Sequence, residues 1–298
     1  MSIMPTSWRR FLSNRINMTG PTIKDALNYG TGVLSGTESA RLDCEILLCS
    51  VLGSEREFIY THPEQELNRS EQTDFNTLVH RRCSGFPVAY LTGFKEFWSL
   101  RLLVDRTTLI PRPETERLVE AALSRLDPGT SVRVLDLGTG SGAIAIALAS
   151  ERPRDRITAT DINKDTLMIA ALNARQNQLN NIEFVHSDWF SKFSGRRFDL
   201  ILSNPPYVES VDKGFTDGEI RFEPRIALDG GPKGLDAYHR IIPAAIRYLE
   251  PGGSIILEHG AQQGNIIRSM FDAAGYSNVS TMLDYAGLER ITTADTPA

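Results

Sequence analysis

The sequence has few residues of the kinds that bind metals or form disulfides. Its 298 residues include three cysteines, Cys44, Cys49 and Cys83, and five histidines. No two cysteines stand at the spacing typical of a zinc site or a redox motif, and the histidines are scattered along the chain, so we expect neither a metal site nor a disulfide framework. Reduced thiols are usual in the cytoplasm, which is the location we expect for this protein.

Long apolar runs and an excess of positive charge are also missing. No stretch is long and apolar enough to span a membrane, so we expect no membrane partner. The net charge is −5, which argues against a mainly electrostatic hold on nucleic acid but leaves room for a local basic patch. Residues 1–21 lack the apolar core of a secretory signal, and we interpret them as an N-terminal extension.

The clearest positive signal is a glycine-rich loop. Residues 132–148 have the pattern of a buried strand, then a loop with Gly138, Gly140 and Gly142, then a helix of small and aliphatic residues. This order is the opening unit of a doubly wound α/β domain, and the glycines let a ligand approach the backbone. The spacing differs from the dinucleotide fingerprint, and Asp136 before the loop would repel a pyrophosphate. A ligand with a cationic amino group and a sulfonium centre is favoured.

Two further strand ends follow. Residues 157–161 form a strand that ends in Asp161, where an acid hydrogen-bonds ribose hydroxyls in such folds. Residues 182–185 form the next strand, with Trp189 shortly after it. This tryptophan is explained equally well as a wall for an adenine ring or as part of the core.

The second informative stretch is Asn204-Pro-Pro-Tyr207, after a strand over residues 198–203. The Asn204 side chain and the Pro205 carbonyl offer two hydrogen-bond acceptors at one place, as an –NH₂ group requires. An amide or aryl amine nitrogen is a poor nucleophile, and accepting both of its N–H bonds orients it and favours the charge that develops on attack. Tyr207 adds a flat face for a planar substrate. The alternative is a polyproline turn without chemistry.

The first part of the chain has helical spacing and no catalytic cluster, which predicts a small helical domain over residues 22–84. Asp43 and Glu45 are expected on a solvated face of this domain. Its helices are expected over 22–34, 39–52 and 56–61 and from an N-cap at Ser70 onward.

A β-hairpin linker is predicted over residues 85–108, with Gly93 between its two strands, and the α/β domain over 109–298. Arg112 stands between two prolines on a stiff loop, a pattern compatible with a site residue or with a helix start at Pro113.

Beyond Tyr207, residues 209–234 are long for a βα loop and predict a lid or substrate wall. A helix over 235–249 and a fifth strand over 254–258 are expected to follow.

From about Thr22 onward, the chain resembles the HemK/PrmC family, peptide chain release factor N5-glutamine methyltransferases that use S-adenosylmethionine. Asn-Pro-Pro-Tyr narrows the resemblance to amino-methyltransferases. The remaining segments that carry it are residues 96–100, 110–116, 187–190, 221–224 and 257–260.

The resemblance implies an α/β fold of the class I S-adenosylmethionine-dependent methyltransferases, with a Rossmann-like seven-stranded sheet. It implies transfer of a methyl group to the glutamine N5 of a Gly-Gly-Gln loop, by direct in-line displacement with no metal and no covalent intermediate, while the helical domain grips the release factor. The implied cofactor residues are Gly138, Thr139, Gly140, Ser141, Gly142, Asp161, Trp189 and Asn204. The implied substrate residues are Asn204, Pro205, Pro206, Tyr207 and Arg112, of which Asn204, Pro205 and Tyr207 are the catalytic candidates.

Other functions stay open at this stage. The same Asn-Pro-Pro-Tyr chemistry suits adenine N6 of DNA or RNA flipped out of its stack, and a non-catalytic S-adenosylmethionine-binding protein would keep the fold. An NAD enzyme is less compatible, because the glycine spacing is wrong for it. We expect release factors as partners, no direct nucleic-acid contact, and a monomer.

Overall fold

The computed structural model describes residues 20–297 and divides the chain into two compact units between Thr92 and Gly93. The predicted N-terminal extension therefore lies almost entirely outside the described residues.

The first unit is helical. Its core consists of apolar side chains such as Leu27, Leu47 and Phe75, all of them almost completely buried. Its helices are α1 (Ile23–Val33), α2 (Ala40–Leu52), α3 (Arg56–Thr61), α4 (Arg69–Cys83) and α5 (Val88–Thr92).

Helix α4 begins earlier than the sequence predicted. Its N-cap is Asn68 and not Ser70, because Asn68 Oδ1 accepts from the Glu71 backbone N–H at 3.0 Å while Glu71 Oε2 accepts from the Asn68 N–H at 2.8 Å. This reciprocal capping box satisfies two amide groups that would otherwise have no partner within the helix.

The expectation that Asp43 and Glu45 lie on a solvated face is wrong. Both are buried in α2, with exposed fractions of 5% and 2%. Asp43 pairs with Arg82 at 2.6 Å, and Glu45 accepts from two arginines and from Tyr60 at 2.6 to 2.8 Å. Buried carboxylates are tolerated where they are paired and hydrogen-bonded, and these partners come from other turns and helices of the unit.

The second unit opens with a hairpin of β1 (Phe94–Phe97) and β2 (Leu100–Leu103). Its turn is Trp98-Ser99, with φ of 54° and 56°, the conformation of a type I′ turn. Gly93 therefore precedes the hairpin and does not separate its strands. The apolar run before Gly93 forms α5 instead, because a short apolar run cannot be assigned to strand or helix by periodicity alone.

A seven-stranded sheet forms the centre of this unit, in the order β5-β4-β3-β6-β7-β9-β8. The pairs among β3 to β7 are parallel, while β9 is antiparallel to both β7 and β8. This is the Rossmann-like sheet that the sequence predicted. The strands are β3 (Arg133–Leu137), β4 (Arg156–Asp161), β5 (Ile182–His186), β6 (Phe198–Ser203), β7 (Leu249–Glu258), β8 (Ser277–Leu283) and β9 (Glu289–Asp295).

Helices α6 (Glu116–Arg125), α7 (Ala143–Glu151), α8 (Lys164–Gln176), α9 (Asp236–Ala245) and α10 (Gly264–Ala273) complete the unit. Helix α9 ends four residues earlier than predicted, after an internal Pro243 that removes one backbone donor, and β7 begins at Leu249 and not at residue 254.

Strand β3 lies between β4 and β6, and the chain runs outward from it in both directions. The loops after these three parallel strands therefore meet at one edge of the sheet, at the switch point where α/β folds bind ligands. Within residues 20–297, no helix combines the length and the apolar character that crossing a membrane requires.

Candidate active site

A cavity of about 320 Å³ opens at this edge of the sheet. The loops after β3, β4, β5 and β6 each contribute to its lining. The predicted site residues that line it are Arg112, Gly138, Thr139, Gly140, Ser141, Asp161, Trp189, Asn204 and Pro206. Gly142, Pro205 and Tyr207 are not part of the lining.

The three loop glycines all have positive φ, of 71°, 57° and 86°, which accounts for glycine at each position. They differ in what a side chain would meet. A Cβ on Gly140 would meet nothing within 4 Å, whereas a Cβ on Gly142 would lie 2.8 Å from Ile146 Cδ1. Gly140 thus keeps space open at the cavity, while Gly142 permits close packing at the start of α7.

Asp161 binds the loop from the end of β4. Its Oδ2 accepts from the Gly140 N–H at 3.1 Å, and its Oδ1 accepts from the Asn163 N–H at 2.9 Å. Burial raises the pKa of this carboxyl, although the backbone amides that donate to it oppose the shift. The carboxylate both supports the glycine loop and borders the cavity.

Asp136 lies beneath the loop and not in the cavity. Its side chain is fully buried and accepts from the Thr139 hydroxyl at 2.7 Å. Burial raises its pKa to about 7. The sequence pattern predicts this acid close to the ligand, whereas the observed contact is with the Thr139 side chain of the loop.

Asn173 connects the glycine loop to the hairpin. This completely buried α8 side chain accepts from the Leu103 N–H at 2.6 Å and donates at 2.9 Å to the carbonyls of Leu103 and Ser141. No sequence pattern indicates this role, because nothing near residue 173 points to partners 70 and 32 positions away.

Trp189 is half-buried and forms part of the cavity wall, with its ring beside Gly138. Its φ of 46° is unusual for a tryptophan, and the Ser187 hydroxyl donates to its carbonyl at 2.8 Å. The ring also packs on the hydrophobic core. The two explanations offered by the sequence, ligand wall and core residue, are therefore compatible.

Asn204 follows β6 and lines the cavity next to the glycine loop, since Ser203 is paired with Leu137 of β3. Its Nδ2 donates to the Thr115 hydroxyl at 3.2 Å. The carbonyl end of the amide, Oδ1, is therefore the end that can accept from a ligand.

Tyr207 lies behind the lining and is held on several sides. Its carbonyl accepts from Gln263 Nε2 at 3.1 Å, and its hydroxyl lies 3.5 Å from Glu258 Oε1. A Cβ on Gly230 would lie 2.8 Å from Tyr207 Cα, so the following loop packs tightly on this segment. Burial raises the pKa of Tyr207 to about 12. The phenol is therefore protonated at neutral pH.

Arg112 borders the cavity, but its charge already has a partner. The guanidinium pairs with Glu223 at 2.5 Å, and the second oxygen of Glu223 accepts from the Ile110 N–H at 3.0 Å. Glu223 is almost completely buried and connects the loop after Tyr207 to the stiff segment around Arg112. The sequence pattern around Glu223 predicts no such pairing.

Two family models match the chain. The PrmC N-terminal domain matches residues 25–93, and the Methyltransferase small domain matches residues 116–218. The first match falls on the helical unit, and the second spans the glycine loop and Asn204.

Several named proteins are similar in sequence to this chain over most of their length. The Release factor glutamine methyltransferase of Salmonella typhimurium strain LT2 is 47% identical over 266 residues, which are 89% of this chain and 96% of that protein. The protein of the same name from Escherichia coli K12 is 47% identical over 87% of this chain and 93% of its own.

Among solved structures, a methyltransferase from Pyrococcus furiosus is similar in fold, with a TM-score of 0.52 and 18% identity, over 76% of this chain and all of that one. The class I methyltransferase fold predicted from the sequence is confirmed. With close relatives covered almost from end to end, the chain belongs to the release factor glutamine methyltransferase family.

Proposed function

We propose that this enzyme transfers a methyl group from S-adenosylmethionine to the side-chain nitrogen N5 of the glutamine in the Gly-Gly-Gln loop of a translation release factor. The observation that carries the proposal is that Asn204 lines the same cavity as the glycine loop, because Ser203 and Leu137, the residues before them, are paired in adjacent strands. Relatives at 47% identity that carry the name release factor glutamine methyltransferase support the choice of substrate.

Three features of the cavity lining are suited to binding S-adenosylmethionine. Gly140 leaves open the space that a Cβ would fill, Asp161 supplies a carboxylate at a distance along the chain typical of ribose binding, and Trp189 supplies a flat face for adenine. Gly138, Thr139 and Ser141 complete this wall, and Gly142 acts by allowing α7 to pack. Bound there, the cofactor supplies a methyl group activated by its sulfonium.

The residues after β6 orient the acceptor. Asn204 Oδ1 and the Pro205 carbonyl accept the two N–H bonds of the glutamine amide, which directs the nitrogen lone pair toward the cofactor side of the cavity. Because both acceptors carry partial negative charge, they favour the positive charge that develops on nitrogen. Pro206 and Tyr207 keep this segment rigid, and Arg112 borders the substrate with its charge neutralised by Glu223.

Because release factors act on translating ribosomes, we place the reaction in the cytoplasm.

The test is transfer of labelled methyl from S-adenosylmethionine, with three acceptors in parallel. These are a purified release factor, the same factor with its Gly-Gly-Gln glutamine replaced by alanine, and adenine-containing DNA. We expect label on the intact factor and none on the variant or the DNA. Label on DNA alone would instead support the adenine-N6 alternative, since Asn-Pro-Pro-Tyr chemistry suits that amine equally well.

A further inference from the structure

An ion pair at the cavity holds a segment of its wall in place. Glu223 Oε1 accepts from Arg112 Nη2 at 2.5 Å, and Glu223 Oε2 accepts from the Ile110 N–H at 3.0 Å. The Glu223 side chain is 1% exposed, whereas that of Arg112 is 33% exposed and lines the cavity. The buried carboxylate therefore fixes both the backbone and the side chain of the stiff segment around Arg112.

Both partners of this pair lie on segments that are hydrogen-bonded to the acceptor segment, which begins at Asn204. The Arg112 carbonyl accepts from the Thr115 N–H at 3.1 Å, and the Thr115 hydroxyl accepts from Asn204 Nδ2 at 3.2 Å. The loop that carries the carboxylate is attached at the other end of the motif, where the Val208 N–H donates to the Leu228 carbonyl at 2.9 Å. The ion pair therefore connects two segments that flank the place of the target amide.

Arg112 has donors that the fold does not use. A guanidinium has five N–H donors and no acceptor. Within the described residues, the Arg112 side chain forms one hydrogen bond, to Glu223. Because this side chain is partly exposed and lines the cavity, its remaining N–H groups are available to a ligand there.

The buried carboxylate also determines which acceptor suits these donors. Next to Glu223, the guanidinium has little net charge with which to attract a phosphate, so the pair favours a neutral carbonyl oxygen. A peptide has such an oxygen on every residue, and at glycine no side chain shields it. An adenine base has ring nitrogens as acceptors and no carbonyl.

We propose that Glu223 is a positioning residue for substrate recognition: it holds Arg112 so that the unused N–H groups of the guanidinium donate to a main-chain carbonyl oxygen of the glycines before the target glutamine. Glu223 does not touch the substrate itself. The pair thereby favours a peptide over adenine, which the Asn-Pro-Pro-Tyr chemistry alone would accept equally well. This role rests on the proposed function, since it takes the Gly-Gly-Gln loop as the substrate.

The main experiment compares the wild type with Glu223→Gln, using labelled S-adenosylmethionine and a purified release factor. An amide has one acceptor oxygen for the two N–H groups that the carboxylate now accepts, so Arg112 is no longer held in place. We expect the KM for the release factor to rise about tenfold to a hundredfold. The kcat should change by less than about twofold, because a carbonyl that does not react is bound equally well in the ground state and the transition state. An unchanged KM would overturn the positioning role.

Asp155→Asn is the matched control. Asp155 is 2% exposed and has the same bonding as Glu223: one oxygen accepts from Arg152 Nε at 2.9 Å and the other from the Val132 N–H at 3.2 Å. Neither Asp155 nor Arg152 lines the cavity. We expect Asp155→Asn to lower the stability in urea titrations about as much as Glu223→Gln does, with a wild-type KM. A raised KM in both variants would reflect a general loss of stability and would contradict a specific role for Glu223.

A double-mutant cycle tests whether Glu223 acts through Arg112. Arg112→Met removes the donors and should raise KM about as much as Glu223→Gln does, whereas Arg112→Lys keeps a charged donor and should raise it less. Adding Glu223→Gln to Arg112→Met should raise KM by less than about twofold more, because no donor is left to position. Increases that multiply would refute the connection. A wild-type KM in Arg112→Met would refute the role even if Glu223→Gln folds poorly.

Cofactor affinity distinguishes the peptide from the other ligand of the cavity. S-adenosylmethionine has a carboxylate of its own that could accept from Arg112. Its Kd, measured by calorimetry without a release factor, should be the same in the wild type, Glu223→Gln and Arg112→Met. A weaker Kd with an unchanged KM for the release factor would assign Arg112 to the cofactor and overturn the proposal.

The same assay distinguishes failure of this role from failure of the proposed function. If the wild type labels the release factor and the variants keep its KM, the role of Glu223 is refuted and the proposed function stands. If the wild type labels no release factor, the proposed function is refuted, and the role of Glu223 with it.

Discussion

The two walls of the cavity are built in different ways. The glycine loop after β3 is held by partners 3 to 32 positions away: Thr139 donates to Asp136, Gly140 donates to Asp161, and Ser141 accepts from Asn173. The segment after β6 is held by distant residues. Thr115 lies 89 positions before Asn204, and Gln263 lies 56 positions after Tyr207.

The difference follows from what each wall has to do. A cofactor pocket formed by backbone needs turns that only glycine adopts easily. The residues that shape these turns therefore lie close together in the sequence. A side chain that must present one particular end of an amide needs partners with fixed donor and acceptor roles, and these have to come from elsewhere in the fold. We therefore expect substitutions on the acceptor side to affect kcat, and substitutions on the loop side to affect cofactor affinity and stability.

The strongest test of this comparison is Asn204→Ala. It removes the proposed acceptor, so kcat should fall about a hundredfold to a thousandfold, as when one preorganised hydrogen-bond partner of a transition state is lost. Cofactor affinity, measured by calorimetry, should be unchanged. Asn180→Ala, an exposed asparagine, is the control and should have wild-type kcat. A large loss of cofactor affinity with an unchanged kcat would mean that Asn204 binds the cofactor and not the acceptor amide.

The next largest effect is expected for Asn173→Ala. This change removes the partner of the Leu103 backbone groups and of the Ser141 carbonyl in a buried place, so the free energy of unfolding should fall by ~2–4 kcal/mol in urea titrations. Asn177→Ala, at the C-cap that follows α8 and only half-buried, should cost less than about 1 kcal/mol. Similar losses in both variants would show that Asn173 has no special part in holding the loop.

Two glycine-to-alanine substitutions distinguish a loss of space for the cofactor from the cost of placing alanine at a positive φ. Gly140 and Gly53 have φ of 57° and 61°, and a Cβ on either would meet nothing within 4 Å. Alanine at each position should cost about 1 kcal/mol of stability. Only Gly140→Ala should weaken cofactor binding, by about tenfold, because its Cβ would enter the space of the ligand. Equal cofactor affinity in both variants would mean that this space is not used.

The smallest expected effect concerns Asp136 and pH. Its pKa is raised to about 7 in the folded state, so its contribution to stability is fully present below the ordinary aspartate pKa and is lost as pH rises through about 7. Because asparagine cannot ionise, Asp136→Asn should raise the Tm above that of the wild type, by a few degrees at pH 8 and by less at pH 5. The exposed Asp217→Asn should show no such difference in thermal unfolding. A Tm that is lower at both values would mean that the Thr139 contact outweighs the cost of the buried charge.

Local patterns determined the parts of the protein that depend on neighbouring residues. The order strand, glycine loop and helix predicted the first βα unit, because residues within one turn or strand set its conformation. The run after β6 predicted the acceptor chemistry, since two prolines and an asparagine need no distant partner to have an extended backbone and free acceptors. Together with the family resemblance, these patterns were enough for the fold and the class of reaction.

The tertiary structure decided what depends on contacts between distant segments. It buried Asp43 and Glu45, which the local pattern placed in solvent, because Arg82 and other partners lie on other helices. It left Gly142, Pro205 and Tyr207 out of the residues that line the cavity, and it paired Arg112 with Glu223, 111 positions away. The pair of Arg112 and Glu223 exists only in the folded chain, because an ion pair depends on both partners and the sequence shows each of them alone.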